Sequence, residues 1–198
     1  MKWFCADYHL SHDNVLVGPR SEAFPTIEEW DNAIIKNTND LVGKLDTLFI
    51  LGDFTLKNPV IWRQKIKCND VWLIRGNHDP SILQCKLAFG EKVRDTYETH
   101  ICGEPCFLSH YPHAFWPKSH RGSYHCFAHM HSMRNATLDE WMPERRSIDV
   151  CPENVFELLG RWSPINEEEI FRILSKKQGH DDIKFYENQR PFKDKIKD

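Results

Sequence analysis

Val71-Trp72-Leu73-Ile74-Arg75-Gly76-Asn77-His78-Asp79 is a short apolar run that breaks into a turn crowded with side chains able to bind a metal. Four other places repeat the pattern. Trp3-Phe4-Cys5-Ala6 runs into Asp7-Tyr8-His9, and Leu48-Phe49-Ile50-Leu51 runs into Gly52-Asp53. Cys106-Phe107-Leu108 leads through Ser109 to His110, and Tyr124-His125-Cys126-Phe127 opens into Ala128-His129-Met130-His131. Apolar runs of this length followed by turn chemistry read as buried strands. In layered α/β proteins, ligands gather beyond the carboxyl ends of such strands. Strand ends that deliver Asp, His and Asn to one edge predict a metal site, with donors enough for two ions.

Outward from these runs, the first half of the chain alternates strand and helix. Thr26-Ile27-Glu28-Glu29 is a capping-box pattern, and Ile27, Trp30, Ile34 and Leu41 follow on one helical face. Shorter helices are expected from about Asn58 to Lys65 and from about Pro80 to Phe89. From Thr96 to Ala128 the pattern reads as antiparallel, with Tyr97–Ile101, a Gly103-Glu104 turn and Pro105–Ser109. Ser147–Val150 reads as one more strand, and a last helix starts near Asn166 with Glu169 three residues on. Residues 1–178 therefore read as one domain. Residues 179–198 read as a charged tail, packed on the domain or partly mobile, with Ile183, Phe185, Tyr186, Phe192 and Ile196 as its anchors.

Composition bounds the function. A chain of 198 residues supports one domain with a sizeable core. The net charge of −3 argues against holding long nucleic acid on a broad basic face. No apolar run approaches a membrane span, and Met1-Lys2 leads straight into a strand, so a cytoplasmic protein without membrane partner is expected. Seven cysteines, an odd number with Cys5, Cys106 and Cys126 inside apolar runs, read as free thiols in a reducing compartment. Cys102 and Cys106 lack the second pair a zinc ribbon needs. No pattern specifies an oligomeric state.

The residue types make chemical sense together. Asp7 and His9 are two apart, so an extended backbone would aim both to one side, and His129 and His131 repeat that spacing. Asp53 can supply the carboxylate that holds two cations together, with Gly52 allowing the sharp turn that brings it in. Asn77 and His110 add neutral oxygen and nitrogen donors. Imidazole and carboxylate without thiolate suit manganese first, with iron, zinc or nickel as alternatives. Two divalent ions carry four positive charges against two negative ones from Asp7 and Asp53, so the site would attract phosphate. Such a site lowers the pKa of a bridging water to give a nucleophile, and His78 beside Asn77 could protonate the departing alkoxide, helped by a nearby carboxylate.

Asp7-x-His9, Gly52-Asp53, Gly76-Asn77-His78-Asp79, His110 and His129-x-His131 together resemble the ordered signature of the calcineurin-like metallophosphoesterases, across about two thirds of the chain. The resemblance implies an α/β fold of α+β character, a four-layer β-sandwich flanked by helices with a dinuclear site at the strand ends. It implies Asp7, His9, Asp53 and His131 on one metal, and Asp53, Asn77, His110 and His129 on the other. His78 would lie over the leaving group. Asp7-Tyr8-His9-Leu10-Ser11-His12-Asp13-Asn14, Ser109-His110-Tyr111-Pro112 and Ser119-His120-Arg121-Gly122-Ser123 are similar to the compact phage and bacterial branch.

Two positions depart from the family pattern. Ala128 stands where glycine is usual, and Phe54-Thr55-Leu56 replaces the Asp-Arg-Gly continuation of serine/threonine protein phosphatases. The reading is thus a phosphoesterase, phosphodiesterase or phosphatase, acting on a small phosphorylated or nucleotide-like substrate. A protein phosphatase and a non-catalytic scaffold of the same fold are the alternatives. Arg121, His12 and His120 are candidate substrate contacts, each weighed against a solvated loop. Trp116, Phe115 and Tyr111 are candidate stacking platforms. His100, His125 and His180 read as hydrogen-bonded core, Trp30, Trp62 and Trp72 as core, and Asp13 and Asp79 as turn carboxylates.

Overall fold

A computed structural model describes residues 1–133 and 135–177. The tail expected at 179–198, with its apolar anchors and His180, lies outside the described residues. The architecture is mixed α/β, two sheets flanked by helices.

The first sheet has five strands in the order β4-β3-β2-β1-β9. These are β1 (Lys2–Cys5), β2 (Thr47–Ile50), β3 (Asp70–Ile74), β4 (Val93–Arg94) and β9 (Ile165–Asn166). β1 to β4 are parallel neighbours, and β9 closes the edge antiparallel to β1. The second sheet has four strands in the order β5-β6-β7-β8: β5 (Thr96–Ile101), β6 (Glu104–Ser109), β7 (Tyr124–Phe127) and β8 (Ser147–Asp149). The stretch expected to be antiparallel is so only between β5 and β6. β6, β7 and β8 are parallel, because the long 110–123 and 128–146 segments carry the chain back before each next strand. The hairpin turn lies at Cys102-Gly103, and Glu104 already pairs with Ile101.

Period-two alternation builds two cores from one strand set. Trp3, Cys5, Leu48, Ile50, Val71 and Leu73 face outward onto Trp30, Ile34, Trp62, Cys85 and Phe89. Those residues belong to α2 (Ile27–Leu41), α3 (Pro59–Arg63) and α4 (Ile82–Phe89). Phe4, Phe49, Leu51 and Ile74 face the other way, onto Ile101, Cys106, Leu108, Tyr124 and Cys126 of the second sheet. α2 begins as expected, with Thr26 accepting from the Glu29 amide, but Leu41 at its end is exposed. α7 (Glu167–Leu174) has the full capping box of Asn166 and Glu169 and buries Ile170 and Leu174 between the sheets.

Three helices went unforeseen: α1 (Pro19–Ala23), α5 (Asn135–Trp141) and α6 (Pro152–Leu159). α1 and α6 matter for the site, since each carries one charged residue inward. All seven cysteines are free thiols, and Cys102 alone of them is exposed. No described helix is long and apolar enough to cross a membrane.

Candidate metal centre

The carboxyl ends of β1, β2, β3, β6 and β7 meet at one edge. There the ladder between β1 and β2 continues past the strands: Leu51 N–H donates to the Cys5 carbonyl at 2.7 Å, Asp7 to Gly52 at 3.0 Å and His9 to Asp53 at 2.9 Å. This extension is not the extended backbone the spacing suggested. Asp7, His9 and Asp53 have φ of 50°, 48° and 51°, and His129 and His131 have 73° and 46°. A left-handed non-glycine residue costs about 1–3 kcal/mol and persists where its surroundings over-determine it. Here the repeated kink turns alternate side chains into the same space and holds them there.

Gly52 carries the same kink at φ 83°, and no side chain would fit. A Cβ there would lie 2.5 Å from His110 Nδ1 and 2.6 Å from the Gly76 nitrogen. Ala128, by contrast, keeps a negative φ. The left-handed step falls on His129 instead, so the methyl group packs into the core without strain.

Two groups of donors result from the strand ends, besides a third in which Asp7 meets Asp149 and Cys151. One ligand atom each of Asp7, His9 and His131 lie within 4.8 Å of one another, and so do those of Asp53, His110 and His129. Asp53 joins the groups: its Oδ2 is 3.6 Å from His9 Nε2 and 3.5 Å from His110 Nε2. Its Oδ1 accepts from the His78 amide at 2.8 Å, which fixes the carboxylate plane. Asp7 ties the sheets together by accepting the His129 amide on Oδ2 at 2.9 Å.

The donor chemistry suits cations. His110 Nδ1 lies 2.8 Å from the Leu51 carbonyl, which can only accept, so Nδ1 carries the proton and Nε2 presents a lone pair. That lone pair faces Asn77 Oδ1 at 3.1 Å and Asp53 Oδ2, both acceptors, with His129 Nδ1 at 3.2 Å. In the other group Asp7 Oδ1 and both ring nitrogens of His9 are buried without a hydrogen-bond partner. Leaving such atoms unpaired costs about 1–3 kcal/mol each, and a bound cation removes that cost. Burial holds His9 down to about 2 and lowers His110 and His129, so these imidazoles stay neutral, the form that ligates. Burial also pushes the Asp7 carboxyl well up, a penalty on its charged form that a divalent cation would offset.

Of the other expected site residues, His78 is exposed beside the centre, its ring 5.3 Å from that of His9 and 6.0 Å from that of His12. No carboxylate reaches the His78 ring among the described residues. Asp79 instead takes the amides of Asp53, Phe54 and Gly76 at 3.0, 2.8 and 2.8 Å, the turn role expected for it. His12 and His78 line a cleft of about 480 Å³ together with His9 and His131. Arg121 and His120 are exposed in a single turn at Ser119–Arg121 and do not line that cleft.

Trp116 is no platform, because its ring is buried and its indole N–H donates to the Ser123 hydroxyl at 3.0 Å. Tyr111 is half exposed, with its ring 4.8 Å from His129, and Phe115 is exposed. His125 is buried and hydrogen-bonded as expected, whereas His100 is exposed at a strand position whose side chain faces solvent.

Arg20 and Glu153 were missed. Arg20 is wholly buried, donating to the Asp7 carbonyl at 3.0 Å and to Glu153 at 2.6 Å, with its guanidinium 4.2 Å above the Trp30 ring. Glu153 Oε1 lies 3.6 Å from His131 Nδ1, orienting that ring. Burial opposes the charge of His131, but the Glu153 hydrogen bond and Asp7 outweigh it and raise the pKa. Asp149 accepts the Ser132 and Cys151 amides at 3.2 and 2.9 Å and so braces the loop behind His131. Cys151-Pro152-Glu153 carries a helix-start signal, but nothing in it announces a buried carboxylate.

The chain matches the calcineurin-like phosphoesterase family over residues 3–194. The chain belongs to that family. An uncharacterized protein of Methanocaldococcus jannaschii is 26% identical over 181 residues, covering 88% of this chain and 91% of its own length. A crystal structure of a protein of unknown function from Aquifex aeolicus superposes with a TM-score of 0.68 at 22% identity. It covers 87% of this chain and 98% of that one, and at this identity it speaks for a shared fold. The Asp and His clusters fall where this calcineurin-like phosphoesterase brings its strand ends together.

Proposed function

We propose that this protein hydrolyses a phosphate ester of a small or nucleotide-like substrate at a centre of two divalent cations. The observation that carries the reading is Asp53 Oδ2, which faces His9 Nε2 at 3.6 Å and His110 Nε2 at 3.5 Å between two separate ligand groups. Asp7, His9, Asp53 and His131 would hold one ion, and Asp53, Asn77, His110 and His129 the other. Manganese suits this oxygen and imidazole set, as do iron, zinc and nickel. Bound there, the ions would supply Lewis-acid stabilisation of the phosphoryl group and activation of the attacking water.

The protein's own part is positioning and proton transfer. His78 is exposed, its amide donates to Asp53, and its ring lines the cleft 5.3 Å from that of His9, within reach of a leaving oxygen. It donates a proton to that oxygen. His12, one ring away, lines the same cleft and is the substrate contact the geometry favours. Arg121 and His120 reach the substrate only if its far part extends toward the 111–123 loop. Free thiols throughout suit a reducing compartment, and we place the protein in the cytoplasm on that ground.

The test is turnover by metal-free protein reloaded singly with manganese, iron, zinc or nickel. Chromogenic phosphodiester and phosphomonoester substrates should be hydrolysed by at least one loaded form, and EDTA should abolish the activity. Tight metal binding with no hydrolysis of either ester class would favour the scaffold reading.

A further inference from the structure

One wall of the cleft beside the centre is apolar. Beside His9, His78 and His131 it is lined by Val15, Val17, Pro19 and Met133, and Val17 and Met133 are 67% and 77% exposed. Carbon surface left open beside reacting groups gains free energy when an apolar ligand covers it. The Pro19 end of this lining is held in place. Gly18 takes a left-handed φ of 54°, Pro19 starts α1, and Arg20 pins that helix to the Asp7 carbonyl and to Glu153. A fixed element lowers the ordering cost of binding. At about 480 Å³ the cleft takes a small molecule and not a protein surface. Glu153 also lines it, but Arg20 at 2.6 Å already balances that charge, so a second anionic group seated against Val15, Val17, Pro19 and Met133 would give up its water for carbon surface.

We infer that the substrate carries a single phosphate ester on a compact, uncharged, apolar alcohol, aryl or short alkyl, which packs on Val15, Val17, Pro19 and Met133 while the phosphate faces the His9 and His131 side. The inference rests on the phosphoesterase reading and narrows its substrate class.

Phosphonates test it without a leaving group. Calorimetry on the manganese-loaded protein compares methylphosphonate, benzylphosphonate and 4-carboxybenzylphosphonate. Benzylphosphonate should bind about tenfold or more tighter than methylphosphonate, and the added carboxylate should cancel that gain. In Val17→Asp and Met133→Asp, both at exposed positions, the ratio of benzyl to methyl affinity should fall toward one. Equal binding of benzyl- and methylphosphonate by the wild type, or an unchanged ratio in both variants, overturns the inference and leaves the phosphoesterase reading standing. Failure of every phosphonate to bind, with no ester hydrolysed, overturns both.

Discussion

Arg20→Ala should destabilise the fold strongly, although the residue belongs to none of the donor groups. In the native protein its guanidinium is fully buried, 2.6 Å from Glu153 Oε1, and Glu153 is itself 7% exposed. Removing one member of such a pair strands the other charge, at about 3–5 kcal/mol. The lost face on Trp30, 4.2 Å from the guanidinium carbon, adds about 1 kcal/mol. His131 Nδ1, 3.6 Å from the same oxygen, softens the loss by taking up part of the charge, so the low end is expected.

For a domain of this size each kcal/mol lowers Tm by about 2–4 °C, so a loss of about 4 kcal/mol gives a fall of roughly 8–16 °C. Scanning calorimetry on metal-free protein reads this directly. Arg20→Ala combined with Glu153→Gln should recover part of the loss, because the stranded charge is gone, with a coupling of about 1–3 kcal/mol. A shift below about 3 °C, or strictly additive losses, would refute the argument that this pair is a buried, mutually compensating unit.

Three further outcomes follow from the geometry. His78→Ala should keep both metals by elemental analysis while kcat falls about 10²–10⁴-fold for an alkyl leaving group and much less for p-nitrophenolate, whereas equal losses would point to phosphoryl stabilisation. Burial brings His125 down to about 3 from an ordinary 6.5, so between those pH values the unfolded chain binds the proton and the native one does not. Stability should therefore fall as pH drops from about 6.5 to about 3, by about 5 kcal/mol in all, and urea titrations of His125→Gln should show that slope flattened. Arg121→Ala should leave KM within about twofold for aryl and alkyl esters that fit the cleft, and a rise beyond about tenfold on any of them would bring the 111–123 loop into the substrate site.

What the sequence made legible was the part built from local signals. Apolar runs with Asp, His or Asn at their ends mark strands and the edge they share, and the cap residues Thr26 and Asn166 mark helix starts. The direction of β7 was not legible, because a run such as Tyr124–Phe127 looks the same whichever way it pairs, and only the intervening segment decides. The left-handed kinks at Asp7, His9 and Asp53 leave no mark in the sequence, because a two-residue spacing is the same on an extended backbone. Arg20 and Glu153 lie far apart in sequence, each inside an ordinary polar stretch, and their pairing exists only once α1 and α6 are packed around His131. Trp116 looked like a surface aromatic from its polar neighbours, yet those neighbours, Ser123 above all, are what satisfy its N–H in the interior.

The shared carboxylate of Asp53 is the centre of the account, and metal stoichiometry tests it most directly. Metal-free wild-type protein and Asp53→Ala, each saturated with manganese and freed of excess by gel filtration, would be compared by elemental analysis beside a circular-dichroism check of folding. The account predicts two manganese ions per wild-type chain and the loss of both in folded Asp53→Ala, because each ligand group then lacks its common oxygen donor. A wild-type chain that saturates at one ion, or an Asp53→Ala chain that still holds two, would contradict it.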